Sequence, residues 1–352
     1  MKVIVLKQNL MDAINIVQKA VMPKSPQPIL EGIFVEAKDD FKLTGNCFDL
    51  SIVYSVEADI KEQGSIVINS RIFGEIVRRL PNAPVSIEVS DSNIVKIECL
   101  NSYFEIKGMD SSTYPLPPER KDDITFTMQQ SSLKDLIRQT IFSVGSDENR
   151  KVMTGALLEV DKGDITIVAL DGFRMAVCHT IIKDDISFKV VIPGKNMNEI
   201  LRILETTDEP VQISLSGNLV SFVFKNCRII SSVLDGEFMN YKSYIPSQFE
   251  TVIKVNTQEF IESLERASLI ASDDKRYPVK LDIGDDTLTI HSAAEIGLSK
   301  EQIRIENNGS SMRIGFNPHY LIDALKVIPD GTVKISFNSS IGPCIITAVE
   351  HE

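Results

Sequence analysis

Hydrophobic and polar residues alternate in short runs along most of this chain, and helical stripes interrupt the alternation at regular places. Val3-Ile4-Val5-Leu6 reads as a strand. After it Leu10, Ile14, Val17 and Val21 share one helical face, which predicts a helix from about Asn9. The same order returns at Thr125-Phe126-Thr127-Met128. It is followed by a stripe of Leu133, Leu136, Ile137 and Ile141 in a helix expected to be capped near Ser131 or Ser132, with Asp135 in its first turn. It returns again at Val252-Ile253-Lys254-Val255, with Asn256-Thr257 opening a helix whose stripe is Phe260, Leu264 and Ala267.

Leu10 and Leu133 are 123 residues apart, and Leu133 and Phe260 are 127 apart. A plan recurring at that spacing is an internal repeat of domain size. Further elements keep step with it. Strands at 66–68, 190–192 and 312–314 each feed a second helix, at 71–80, 195–204 and 318–328. Pro81 and Pro329-Asp330-Gly331 stop two of these helices. Alternating strands follow at 85–89, 211–215 and 333–337. Proline-bearing connectors close the first two copies at 114–123 and 244–248. The expected architecture is α+β: three repeated domains at 1–119, 124–246 and 250–352, each with two helices and antiparallel sheets.

Composition narrows the function. A hydrophobic fraction of 43% and a charged fraction of 24% suit a soluble globular protein. No apolar window is long enough for a membrane span, and the N-terminus turns polar too early for a signal peptide. Cys47, Cys99, Cys178, Cys227 and Cys344 are far apart and lack a C-x-x-C pair, so they read as free thiols in the cytoplasm. A net charge of −12 argues against holding nucleic acid by bulk attraction. His179, His291, His319 and His351 show no metal-ligand spacing, and no nucleophile elbow or phosphate loop is present. No cofactor or metal is expected, and a non-catalytic protein is favoured. A three-domain enzyme with its active site between domains is a competing reading, but one active site gives no reason for a thrice-repeated plan. A β-rich adaptor without nucleic acid is the other.

One stretch carries more than structure. In 166–177, TIVALDGFRMAV, two β-rich runs flank Asp171-Gly172, a hairpin signal. Leu170, Phe173, Arg174 and Met175 set large side chains beside that turn, which reads either as a plain turn or as the edge of a binding pocket. The first copy has Cys47-Phe48-Asp49-Leu50 at the corresponding place, differing in charge and in its turn glycine.

The segments 154–158 (TGALL), 169–177 (ALDGFRMAV) and 235–241 (DGEFMNY), with the opening Met1-Lys2-Val3 and the linker Tyr114-Pro115-Leu116-Pro117, resemble the bacterial DNA polymerase sliding clamps. The resemblance spans the chain. It implies a ring-shaped homodimer of six domains around duplex DNA, with helices facing the hole. Partners would be the replicative polymerase and the clamp loader, held through short clamp-binding peptides with a Gln and apolar Leu or Phe side chains. It implies no active site. By family match the peptide pocket would comprise Met153, Leu170, Gly172, Phe173, Arg174, Met175, Met239, Tyr244, Ile346 and Val349. Arg174 would be its polar group, facing a peptide carbonyl or carboxylate.

Three departures stand out. Phe173 replaces a common His, Met239 a common Pro, and the tail 345–352 lacks the usual Pro and Arg. Basic residues expected to meet DNA phosphates without reading bases are Lys24, Arg150, Lys151, Lys275 and Arg276 after the first helices. Arg71, Arg78, Arg79, Lys195, Arg202 and Lys326 join them on the second helices. Head-to-tail closure would pair strand edges expected at 101–107 and 301–306.

Overall fold

The computed structural model describes residues 1–118, 123–270 and 278–349. The first repeat runs β1 (Lys2–Leu6), α1 (Lys7–Val17), β2 (Gly32–Ala37), β3 (Phe41–Asn46), β4 (Leu50–Val56), β5 (Ala58–Glu62), β6 (Gly64–Asn69), α2 (Ser70–Arg79), β7 (Pro84–Val89), β8 (Ile94–Cys99), β9 (Ser102–Lys107). The second runs β10 (Ile124–Gln129), α3 (Gln130–Arg138), β11 (Gly155–Asp161), β12 (Asp164–Leu170), β13 (Met175–Ile181), β14 (Ser187–Pro193), α4 (Gly194–Ile203), β15 (Pro210–Ser216), β16 (Leu219–Phe224), β17 (Cys227–Ser232). The third runs β18 (Thr251–Asn256), α5 (Thr257–Ser268), β19 (Val279–Ile283), β20 (Thr287–Ala294), β21 (Gly297–Gly309), β22 (Met312–Phe316), α6 (Pro318–Val327), β23 (Thr332–Phe337), β24 (Cys344–Ala348). The fold is α+β, with two α-helices per repeat among antiparallel strands.

The helices form where the stripes lie, although α1 ends before Val21 and α3 before Ile141, and their starts follow local hydrogen bonding. α5 starts as expected, because Asn256 Oδ1 accepts from Glu259 N at 2.9 Å. α2 and α6 are capped in the same way by Asn69 and Asn317. α3 begins at Gln130, ahead of the expected serine caps. Its free N–H groups find backbone acceptors instead: Gln130 N donates to Glu209 O and Ser131 N to Thr207 O, both at 2.9 Å. α1 likewise starts at Lys7, directly out of β1 and without a side-chain cap.

The chain forms two compact units. One comprises Met1–Ile137, Ser146–Val168 and His179–Gly236; the other comprises Arg138–Gly145, Ala169–Cys178 and Glu237–Glu352. In the first unit an eight-stranded sheet, ordered β10-β15-β16-β17-β4-β3-β2-β6, runs through two repeats. The join is the antiparallel ladder of β17 with β4, from Cys227↔Tyr54 to Ser231↔Leu50. A five-stranded sheet ordered β5-β1-β7-β8-β9 completes the first repeat and leaves β9 on its edge, at the expected 101–107.

The second unit contains a seven-stranded sheet, ordered β22-β19-β20-β21-β18-β23-β24. The edge expected at 301–306 lies in β21, which stands between β20 and β18 in that order. β21 is 13 residues long and changes partner midway, with Gly297 to Arg304 against β20 and Ile305 to Gly309 against β18. Each half therefore pairs on one side only among the described residues. The uninterrupted 13 residues hide that switch from sequence, because no turn residue marks it.

Apolar stripes and strand faces meet in the cores. In the second unit Phe260, Leu264 and Ala267 of α5 pack with Leu321 and Leu325 of α6 and with the sheet. In the first unit Cys227, 3% exposed, sits where the joining ladder begins. Burial disfavours its thiolate and pushes the thiol from an ordinary 9.0 up to about 12. A group whose folded pKa is raised contributes stability in full below its unfolded value, and loses it as pH climbs toward the folded value. Cys227→Ala should therefore flatten the decline in urea-unfolding stability between pH 9.0 and about 12. Identical pH slopes for the two proteins would mean that the thiol is hydrated in the native state.

Candidate functional site

The hairpin between β12 and β13 is a four-residue connection closed by Asp171 N donating to Arg174 O at 3.2 Å. Asp171 builds it as an Asx-turn, its Oδ1 accepting from Phe173 N (2.8 Å) and Arg174 N (3.0 Å). Gly172 takes a φ of +91°, where a side chain would be strained. Leu170 is buried under the turn, whereas Phe173 is 76% exposed at its tip. A turn this well fixed presents an apolar ring to solvent at little further ordering cost.

Arg174 is folded back onto its own unit and is only 19% exposed. Its Nε donates to Asp171 Oδ2 at 3.1 Å, Nη1 to Asp323 Oδ2 at 2.6 Å and Nη2 to Phe142 O at 2.8 Å. Its guanidinium carbon lies 4.5 Å from the Tyr320 ring centre and 5.4 Å from that of Phe142. Charge-assisted hydrogen bonds are worth roughly 1.5–3 kcal/mol where both partners are largely buried, as for the bonds to Asp171 and Phe142 O, and nearer about 0–1 where one partner is open to solvent, as Asp323 is. Arg174 is thus first a tie between the hairpin, the turn around Phe142 and helix α6. These bonds engage three of its five N–H groups. Phe142, Tyr320 and Asp323 were not read from sequence. Phe173 stands over Tyr320 with ring centres 6.3 Å apart.

The remaining expected pocket residues are distributed. Met175 begins β13. Met239 and Tyr244 lie in the second unit, 37% and 63% exposed. Ile346, on β24, is partly buried against the core, and Val349 N donates to Asp330 Oδ2 at 2.8 Å. Met153 belongs to the first unit, in the helical turn Glu148–Thr154.

The first repeat repeats the device with other residues. Asn46 Oδ1 accepts from Phe48 N at 2.8 Å, and Phe48 itself adopts a φ of +67° and is 59% exposed. Lys195 of α4 donates to Asp49 Oδ2 at 2.8 Å, and Asn196 Nδ2 to Asp49 O at 2.9 Å. A hairpin residue is thus ion-paired to a second helix in both cases, with the charges exchanged: Asp49 with Lys195, Arg174 with Asp323. Reading the second helices in register places Asn196 opposite Tyr320, which is the signal that would have found Tyr320. Lys195 falls opposite His319, and Glu199, opposite Asp323, pairs with Lys19 and Arg202, so no register match points to Asp323.

Most of the expected basic residues are partnered by carboxylates of their own chain. Arg78 and Arg79 pair with Glu75, Arg202 with Glu199, Lys326 with Glu265, and Arg150 lies 3.9 Å from Asp147. Lys24, Arg71 and Lys151 are exposed and have no acidic partner within 4.0 Å among the described residues. Lys275 and Arg276 lie outside the described residues. No group of three or more His, Cys, Asp or Glu side chains among the described residues is placed to hold a metal.

Comparison with known proteins decides between the readings. The sequence matches the N-terminal, central and C-terminal domains of the DNA polymerase III beta subunit over residues 1–118, 127–240 and 242–352. The chain belongs to that family, the beta sliding clamps. The beta sliding clamp of Bacillus subtilis is 35% identical over 100% of this chain and 97% of its own. That of Halalkalibacterium halodurans is 34% identical over 96% and 93%. The crystal structure of the Bacillus subtilis DNA polymerase sliding clamp superposes with a TM-score of 0.95 at 34% identity, covering 100% of this chain and 96% of that one. As a sliding clamp the chain is a non-catalytic processivity subunit, and the enzyme reading falls.

Proposed function

We propose that two copies of this chain close head to tail around duplex DNA and that the Asp171–Arg174 hairpin docks peptide segments of the replicative polymerase and the clamp loader in the cytoplasm. The observation that carries this reading is the repeated hairpin seated on a second helix. Two of the three repeats supply a hairpin to a helix, at Asp49–Lys195 and Arg174–Asp323. The third hairpin, between β20 and β21, presents Ile296 (74% exposed) and Leu298 (78%). Helix α2 of the first repeat offers the matching receiver, a groove of about 490 Å³ lined by Arg71, Ile72, Glu75, Ile76, Arg79 and Phe104. A second copy would bring hairpin and groove together at two equivalent seams. The repeats at 1–119, 124–246 and 250–352 then act as six domains of one ring.

Topology would hold such a ring on DNA, so weak contacts are enough. The ion pairs on the second helices suit that: a cation already partnered by a carboxylate gives up little net energy when it meets a phosphate, and sliding stays easy. Lys24, Arg71, Lys151 and Arg150, with Lys195, Arg202, Arg78 and the Lys275-Arg276 pair, are the proposed phosphate contacts. The docking pocket would take its apolar wall from Leu170, Phe173, Met175, Met239 and Tyr244, with Ile346 and Val349 as further lining. Methionine suits a site that accepts related but unequal partners.

Cysteine pairs with one member in 101–107 and one in 301–306, placed in a chain whose native thiols are replaced, should oxidise to a covalent dimer that stays on nicked circular DNA and slips off linear DNA. Crosslinks formed only within single chains would refute the seam. Arg150→Ala with Lys151→Ala should lower the salt slope of DNA retention by about 1 for each phosphate that is no longer neutralised, and an unchanged slope removes both from the DNA surface. Met175→Ala should weaken a fluorescent Gln-x-x-Leu-Phe peptide by on the order of tenfold while the dimer persists; equal affinity would leave the hairpin as a turn and nothing more.

A further inference from the structure

We infer that Asp323 is a positioning residue for the docking hairpin: by holding Arg174 it sets the spacing of Phe173 and Tyr320, and with it the apolar wall that a docked segment meets. The inference rests on the peptide-docking reading above, and adds a role for a residue that would touch no ligand.

Asp323 and Tyr320 are three residues apart on α6, so their side chains share a face. Arg174 reaches that face at two points. Its Nη1 donates to Asp323 Oδ2 at 2.6 Å, and its guanidinium plane lies over the Tyr320 ring at 4.5 Å. The carboxylate is the only charged tie on α6 for this fork among the described residues, since the other two acceptors, Asp171 Oδ2 and Phe142 O, lie on the hairpin and on the turn around Phe142. Remove it, and Arg174 stays fixed to the hairpin side while α6 is released to contact through rings alone. Phe173 is covalently next to Arg174, and its ring faces Tyr320 at 6.3 Å with a tilt of 32°. A gap of that size is set by side-chain placement, so loss of the tie changes the wall without removing any atom of it.

Asp323 is 42% exposed. A group that open contributes little to global stability, which separates positioning from folding. The first repeat supports the assignment from its own residues. There Lys195 of α4 ties to Asp49 in the hairpin with the charges reversed, so the tie is maintained while the residues that form it differ.

The chain has no tryptophan, which makes a reporter unambiguous. Phe173→Trp places a single indole at the hairpin tip. In that background Asp323→Ala should raise acrylamide quenching of the indole about twofold and shift its emission to the red, and Asp323→Glu should restore the parent signal. In the native background Asp323→Ala and Arg174→Ala should each weaken the Gln-x-x-Leu-Phe peptide about five- to tenfold. The double substitution should be no weaker than the poorer single one, because the two act as one unit. Urea midpoints should be the same for the Asp323 variants and the parent. Unchanged quenching in Asp323→Ala, or losses of affinity that multiply, would overturn the positioning role. If the native chain binds no peptide at all, the docking reading fails, and the indole signal still decides whether Asp323 sets the hairpin.

Discussion

An unpaired strand edge is the constraint on which this structure is built. Each repeat makes sheets whose outer strands carry a row of unsatisfied N–H and C=O groups, and a single repeat cannot cover them. Between the first two repeats the solution is a backbone ladder, β17 against β4, which merges their strands into one eight-stranded sheet. The ladder brings the hairpin between β3 and β4 to the start of α4, where Asp49 finds Lys195 and Asn196. The ion pair is a consequence of the sheet and adds direction to it. Backbone pairing alone tolerates a slip of register, whereas an ion pair and an amide bond to the same hairpin do not.

The two hairpins share a device and have been put to different ends. The first is stitched down by polar groups: Asn196 Nδ2 and Ser232 N both donate to Asp49 O. At the second, the position of Asn196 is taken by Tyr320, and an aromatic surface replaces the amide bond. Phe173, Tyr320 and Phe142 surround Arg174 with aromatic rings, and the guanidinium between them is balanced by Asp171 and Asp323. This aromatic surface is what the docking proposal rests on, where the sibling repeat has a polar joint.

Much of this was legible in the sequence because the repeat made each inference three times over. The stripes of Leu10, Leu133 and Phe260 predicted the helices, and all three residues are buried. The hairpin was legible because Asp-Gly has few other uses. Helix starts were less so: α3 borrows its caps from residues 207–209, far along the chain, and no local pattern carries that. The partner switch within β21 was hidden for a similar reason, since alternation is the same on both sides of the switch. Phe142, Tyr320 and Asp323 were missed because they reach Arg174 from distant segments, and a register comparison of α4 with α6 would have singled out only Tyr320.

The merged sheet has a mechanical consequence. Two repeats joined by side chains alone could pivot about a few residues. Two repeats that share a hydrogen-bonded ladder from Cys227↔Tyr54 to Ser231↔Leu50 cannot, because any rotation shears every rung together. Deformation in that part of the chain must be spread over the twist of eight strands, as in a leaf spring. The first two repeats therefore bend elastically and return. A processivity subunit that travels with a moving polymerase has reason to be built that way.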